Sequence, residues 1–466
     1  MNRFCLFCSV FAIIWMTASS ATAQHVAYKL TQPELVPAAA TDADDSYARK
    51  DAEASPSDMP ATHTPAAMLD MACTCQGLPC AEPNCGCDNG CGCCDCGSGW
   101  GDWLCGDCCL GDAWTLKSCL TPCCNGPNYG GWIAAGYYDG NERLSAVPGD
   151  GAAFLDVPDH LNLDQAWLFA EKVADGGDCS AGWGYRADVV YGVDAQKTQA
   201  FGNDDNVWDL SFDHGYYGWA IPQAYGEIAY GDLSVKVGHF FTVVGYEVVP
   251  ATGNFFYSHS YTMFNSEPFT HTGVLGTYKA NDCLTWYGGW TLGWDTGFDQ
   301  AEGGSSWLGG FSTKLMDDFT VTYVSTAGNF GKRSAGENGY SQSVVAVADL
   351  TGKTQYVLQT DWVSTDGFSG DPTFHAEDYG INQYLFYTLS DCWKLGSRME
   401  WWKSNTVTGE STSFYELTGG VNYHPHANFV VRPEVRYNWS PTELFSTANG
   451  AAFNNTVFAI DAIYTF

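Results

Sequence analysis

The chain has 466 residues, of which 53 are acidic and 20 basic, giving a formal charge of −33 although only 16% of residues are charged. Phosphate binding needs basic patches, so nucleic acid is excluded as a partner. Fifty-two glycines and 15% aromatic residues favour many strands over helices.

In chain order, residues 1–23 read as a secretory signal. Arg3 precedes an apolar run through Met16, and the small-residue site Ala21-Thr22-Ala23 precedes Gln24. That run is shorter than the roughly 20 residues a spanning helix needs. No later stretch is apolar enough for a membrane helix, so a place in a membrane would have to be taken by strands. Residues 24–72 hold Ala, Pro, Asp, Ser and Thr with no sustained period, which reads as a disordered linker. Residues 73–128 form a cysteine-rich module, with fifteen cysteines between Cys73 and Cys124 and few apolar residues. Such a segment holds a shape only through staples, and export favours disulfides. Metal–thiolate binding is the alternative. Paired CxxC knuckles at proper separation are absent, so no metal and no cofactor is expected.

From residue 129 to 466 the character is constant. Runs of about ten alternating residues are separated by short punctuation at 174–181, 230–233, 281–284, 316–319, 350–353, 390–393 and 423–427. Between these lie long loops at about 140–162, 192–218, 242–269, 296–305, 329–342, 364–377, 403–412 and 439–453. The reading is an all-β fold, a transmembrane antiparallel β-barrel of about 16 strands (14–18), with both ends on the short-turn side. Alternation supports it, because successive side chains of a strand point to opposite faces. Asn428–Trp439 sets Arg432, Glu434 and Arg436 against Val431, Val435 and Tyr437. Lys394–Trp402 opposes Arg398 and Glu400 to Leu395, Met399 and Trp401, and Trp183–Tyr191 opposes Arg186 and Asp188 to Trp183 and Tyr185. Mixed Arg–acid neighbours suit a wet lumen better than the outer face of a soluble sandwich. In the last run Phe458, Ile460, Ala462, Tyr464 and Phe466 share one face, opposite Asp461.

Three features resemble the outer-membrane β-barrel porins called OmpL-like: VGHFFTVVGYEVV (Val237–Val249) leading into NFFYSHSY (Asn254–Tyr261), EPFTHTGVLGTY (Glu267–Tyr278) leading into WYGGWTLGWD (Trp286–Asp295), and the ending at Phe466. The resemblance implies passive transport without catalytic residues, and a terminal Phe466 read by the assembly machinery. The expected partners are the lipid bilayer of the outer membrane and small polar solutes or ions, with assembly as a homotrimer.

The loop after the fifth strand, 242–269, is expected to fold inward and narrow the pore, with Gly245 and Gly253 allowing it to bend. Pore-lining candidates are Arg186, Asp188, Glu227, Lys236, Arg398, Glu400, Arg432, Glu434 and Arg436, with Glu247, His259, Glu267 and His271 from the loop region. The excess of acid points to a mild cation preference. Cys179, Cys283 and Cys392 each follow an aspartate in a short turn, which makes them disulfide candidates for tethering the module on the periplasmic side. Two other function classes stay open. One is a structural or adhesive barrel plugged by its own loops. The other is an exported β-rich carbohydrate-active enzyme, which would leave the barrel pattern unexplained.

Overall fold

The computed structural model describes residues 127–466 except 140–153, 156, 177–179, 204–207, 210–212, 332–337, 369–370, 406–409 and 448–449, together with 110–111 and 113–117. The signal, the linker and most of the cysteine-rich module therefore lie outside the described residues, as does Cys179.

Among the described residues, sixteen antiparallel strands close into one barrel. They are β1 (Asn128–Tyr138), β2 (Asn162–Lys172), β3 (Ala181–Gly192), β4 (Gly218–Tyr230), β5 (Leu233–Phe241), β6 (Thr270–Asn281), β7 (Leu284–Thr291) and β8 (Ser305–Met316). The circuit continues through β9 (Phe319–Asn329), β10 (Asn338–Thr351), β11 (Thr354–Phe368), β12 (Asp371–Ser390), β13 (Trp393–Ser404), β14 (Thr412–His426) and β15 (Phe429–Trp439). Between β15 and the closing strand, β16 (Phe445–Thr447) and β17 (Gly450–Ala452) form a separate hairpin. The closing strand, β18 (Asn454–Thr465), pairs with β15 on one side and β1 on the other. The Phe466 amide donates to the Gly131 carbonyl and the Gly131 amide to that of Phe466, both at 2.9 Å. No helix among the described residues is long and apolar enough to cross a membrane. Closure is what lets strands do so, because it leaves no backbone edge facing lipid.

The two faces follow the alternation. Trp183, Ile228, Val237, Trp286, Trp290, Met399, Val435 and Phe458 are exposed on the outside, as a lipid-facing band requires. Arg398, Glu416, Arg432, Glu434, Arg436 and Asp461 point inward and are buried.

The expected loop at 364–377 is a difference. There β11 and β12 continue past the barrel as a paired hairpin, with Ser364 opposite Glu377 and Asp366 opposite His375. At 20 residues β12 is about twice the length a bilayer needs. Asp366, His375 and Glu377 gave the segment the polar look of a loop, yet they lie on the more exposed side of the hairpin, while Val363, Thr365 and Ala376 are buried on the other.

Candidate functional site: the inward loop and the wall that holds it

Residues 242–269 leave β5 and re-enter at β6, but they do not stay near those strands. Val243 and Val244 pack on Phe240, Leu275, Leu308 and Val324 from β5, β6, β8 and β9. The Tyr246 amide donates to Gln359 of β11 at 3.1 Å, and its ring meets Tyr384 of β12 at 4.9 Å. Gln165 of β2 donates to the Val249 carbonyl at 2.7 Å. Amides of Tyr257 and Ser258 donate to Glu434 of β15, and those of Tyr261 and Thr262 to Glu400 of β13. The loop thus crosses the inside of the barrel and bonds to most of its circumference.

Local sequence shapes the crossing. Pro250 precedes a single 3-10 turn, Ala251–Gly253. Ser260 caps the one-and-a-half-turn helix α1 (Tyr261–Ser266) by accepting from the Met263 amide at 3.1 Å. Gly245 adopts φ +83°, where a side chain would be strained, and an added Cβ would lie 2.0 Å from a Glu267 carboxylate oxygen. Gly253 serves differently from the expected hinge. Its φ is not positive; a Cβ there would meet Val248 at 2.1 Å, so close packing is what requires glycine.

An ionic network fixes the loop's middle. Arg398 of β13, fully buried, donates to Glu247 at 2.7 Å, to the Ser258 carbonyl at 2.7 Å and to the Ser258 hydroxyl at 2.9 Å, and it also pairs with Glu416 of β14. Its guanidinium lies 5.1 Å from the centre of the Phe256 ring. Arg436 pairs with Glu416 at 3.1 Å and donates to the His259 carbonyl. Arg432 grips Asp461 of β18 through two nitrogens, at 2.8 and 2.5 Å, while donating to the carbonyls of Ala251 and Asn254. Each cation therefore joins the wall's carboxylates to the loop's backbone.

Burial alone would push Glu247 up, but the Arg398 charge, His259 at 3.4 Å and the Ser260 amide outweigh it and hold its carboxyl down to about 2. Glu267 goes the other way. Burial, then the nearby Asp361 charge, push it well above the usual range although Gln359 donates to it. Burial also holds the His259 imidazole below its ordinary value.

The predicted residues fall into three places. Glu247, His259, Glu267, Arg398, Glu400, Arg432, Glu434 and Arg436 converge on the loop–wall contact and are buried there. Arg186, Asp188, Glu227 and Lys236 lie instead on β3–β5 toward the short-turn end. Arg186 pairs with Asp188 and Glu171 at 2.7 Å, and Glu227 stands opposite Lys236 in register. His271 belongs to β6, with its ring nitrogens 3.0 Å from the Thr242 hydroxyl and 3.1 Å from the Gly293 carbonyl. Glu416, Asp461 and Gln359 complete the contact without having been singled out. They share the inward face with the predicted arginines, and only strand register shows whom they meet.

At the short-turn end Cys283 is an exposed free thiol, whereas Cys392 is buried and is not free. Leu110 and Trp114 dock at the same end. The Ala427 amide donates to the Leu110 carbonyl at 2.9 Å, and Trp114 and Asn428 exchange two hydrogen bonds of 2.7 Å.

The family model described as "Putative beta-barrel porin-2, OmpL-like" matches residues 127–466. No curated protein matches the chain. Among solved structures, the outer membrane protein OmpT of Vibrio cholerae aligns at 12% identity over 73% of this chain and 99% of its own, with a TM-score of 0.46. The outer membrane channel DcaP of Acinetobacter baumannii aligns at 11% identity over 73% and 97%, with a TM-score of 0.49. An anion-selective porin from Comamonas acidovorans aligns at 8% identity over 73% and 99%, with a TM-score of 0.49.

Proposed function

Because the chain belongs to the OmpL-like family of outer-membrane β-barrel porins, we propose that it passes small polar solutes or ions by passive diffusion, through a lumen narrowed by residues 242–269. The observation that carries this reading is the ionic and backbone latch that pins the loop inside the barrel. A loop held by buried arginines can set a fixed constriction, and steric sieving with a field from lining charges would then select what passes. Glu171, Arg186, Glu227 and Lys236, partly exposed on the inner face toward the short-turn end, line the approach to that constriction. The chain's acid excess gives a mild cation preference. Glu247 and Glu267 are committed to the loop contact, so neutralising them is expected to alter loop docking more than selectivity. Planar-bilayer recording tests the proposal: steady single-channel conductance with a small cation preference is expected, and a silent, correctly folded barrel would refute it.

One observation favours a second reading, a structural barrel plugged by its loops. The lining candidates on β13–β15 are all buried, with Arg398 and Arg436 each 0% exposed and Glu400 2%. Conductance that appears only after the latch is broken would select this reading.

We further infer that the N-terminal segment lies on the periplasmic side, tethered by a disulfide from Cys392, with docking of Leu110 and Trp114 beside the β14–β15 turn as support. Assembly as a homotrimer and reading of Phe466 during membrane assembly belong to the same proposal.

A further inference from the structure

Two buried carboxyls meet where the loop returns to the wall. Glu267, just before β6, is 0% exposed, and Asp361 of β11 is 6% exposed. Between them lies Gln359, also of β11. Its oxygen accepts from the Tyr246 amide at 3.1 Å, which turns its nitrogen toward the carboxyls. That one nitrogen donates to Glu267 Oε1 and, at 2.6 Å, to Asp361 Oδ2. The other oxygens, Glu267 Oε2 and Asp361 Oδ1, are buried and accept no hydrogen bond.

The surroundings do not balance this charge. On β10 Ser343 stands opposite Asp361 in register, and on β12 Asn382 stands opposite Gln359; both are neutral. Elsewhere on β12, Asp378 accepts from Ser266 at 3.4 Å and Tyr384 donates to Glu247 at 3.0 Å. On β13, Glu400 accepts from the Tyr261 and Thr262 amides, while Arg398 is committed to Glu247 and Glu416. Burial opposes ionisation of Glu267 most, and the charges of Asp361, Glu247 and Glu400 oppose it further. Two carboxylates in one dry contact strongly disfavour joint ionisation. A metal ion has no seat there. The Gly245 backbone lies against Glu267 Oε2, where even a Cβ would come within 2.0 Å. Among the described residues no three His, Cys, Asp or Glu side chains converge as a metal site. A proton needs no such room.

We propose that Glu267 and Asp361 share one proton, which clamps the returning end of the loop to β11 and makes loop docking a pH-sensitive switch. The loop supplies one carboxyl and the wall the other, so loss of the proton sets two negative charges against each other across the contact. The docked loop keeps a proton that a released loop gives up to water above the ordinary carboxylate range. The clamp's contribution is therefore complete below about 4.5 and weakens as the pH rises above it. Glu247 works in the opposite sense, since its pairing with Arg398 is lost only as the pH falls below that value. With one proton released per loop, docking changes by at most about tenfold per pH unit. As a gate on conduction the device rests on the passive-diffusion reading; the switch in docking does not.

The test is limited proteolysis of the full mature chain folded in detergent, between about pH 6 and pH 9. Cleavage within 242–269 is normalised to that of a free peptide of the same sequence. The wild-type rate should rise roughly tenfold or more across this range, and Asp317→Asn, in an exposed turn, should follow it. Glu267→Gln and Asp361→Asn keep an acceptor for Gln359 but cannot ionise. Each should cut the rise to about twofold or less, because the remaining carboxylate faces no like charge in its partner. A flat wild-type rate, or variants that rise as the wild type does, would overturn the proposal. Planar-bilayer recording of the same preparations keeps the two readings apart: a silent wild-type barrel with pH-dependent cleavage refutes conduction and supports the clamp. Should neither variant fold, infrared spectra of the wild type decide. A protonated-carboxyl band lost on alkalinisation with the midpoint of cleavage supports the shared proton, and its absence refutes it.

Discussion

Replacing Arg398 with Gln should release the loop. The guanidinium is fully buried, pairs with Glu247 and Glu416, and donates twice to Ser258. Gln keeps polarity but neither the charge nor the reach, so two buried carboxylates lose their partner. Removing one member of a buried ion pair typically costs about 3–5 kcal/mol. Against a tenfold change for each 1.4 kcal/mol, that is roughly a hundred- to several-thousand-fold shift toward an undocked loop. The barrel should survive, because its wall is closed by backbone pairing between neighbouring strands and Arg398 bridges wall to loop. The assay is limited proteolysis of the folded barrel in detergent, with cleavage followed within 242–269, and single-channel recording of the same preparation. Faster cleavage in the loop, unchanged heat-modifiable mobility and larger or noisier conductance are expected. Adding Glu247→Gln should recover part of the loss, because one stranded carboxylate disappears. Unchanged cleavage and conductance in Arg398→Gln would refute the latch.

Gly245→Ala places a Cβ at φ +83° and against Glu267. It should cost about 1–3 kcal/mol of loop docking, read as faster loop cleavage with the barrel intact. Glu247 is held down to about 2, so its contribution is complete above the ordinary carboxylate range and is lost as pH falls through about 4.5 toward 2. Loop cleavage by an acid-active protease should therefore rise across that window in wild type and stay flat in Glu247→Gln. Cys283 should react with a membrane-impermeant maleimide only after the outer membrane is permeabilised, while Cys392 stays unlabelled until reduction. Labelling of Cys283 on intact cells would invert the proposed orientation. Deleting Phe466 removes the two backbone bonds to Gly131 and should lower the yield of heat-modifiable barrel in membranes; an undiminished yield would count against its role in closure and assembly.

The turns were legible for a local reason. Tyr230–Leu233, Asn281–Leu284, Met316–Phe319 and Ser390–Trp393 carry residues that accept tight-turn geometry, and each contains or flanks a turn found in the structure. The 364–377 stretch was misread because Asp, Gly and Pro mark a turn without telling how far the flanking strands run beyond the bilayer. Face assignment survived where the pleat is regular, as for Arg432, Glu434 and Arg436. At Asp164 the pleat is not regular: a bulge that no local pattern announces turns Asp164 and its neighbour Gln165 both to the buried side.

The amino-acid sequence by itself determined the barrel, its strand count, its lipid face and the position of an unusual third long loop, because period-2 alternation and turn chemistry act between residues near each other in the chain. Only the tertiary structure decided what the inward charges do. Glu247 meets Arg398 across 151 positions, and the Ala251 carbonyl meets Arg432 across 181. Closure of the barrel brings β13–β15 and β18 around to the loop that follows β5, and it is closure, with each strand's register, that selects a partner for every buried charge. Polar residues that the pattern could only place on an inner face thereby became a latch.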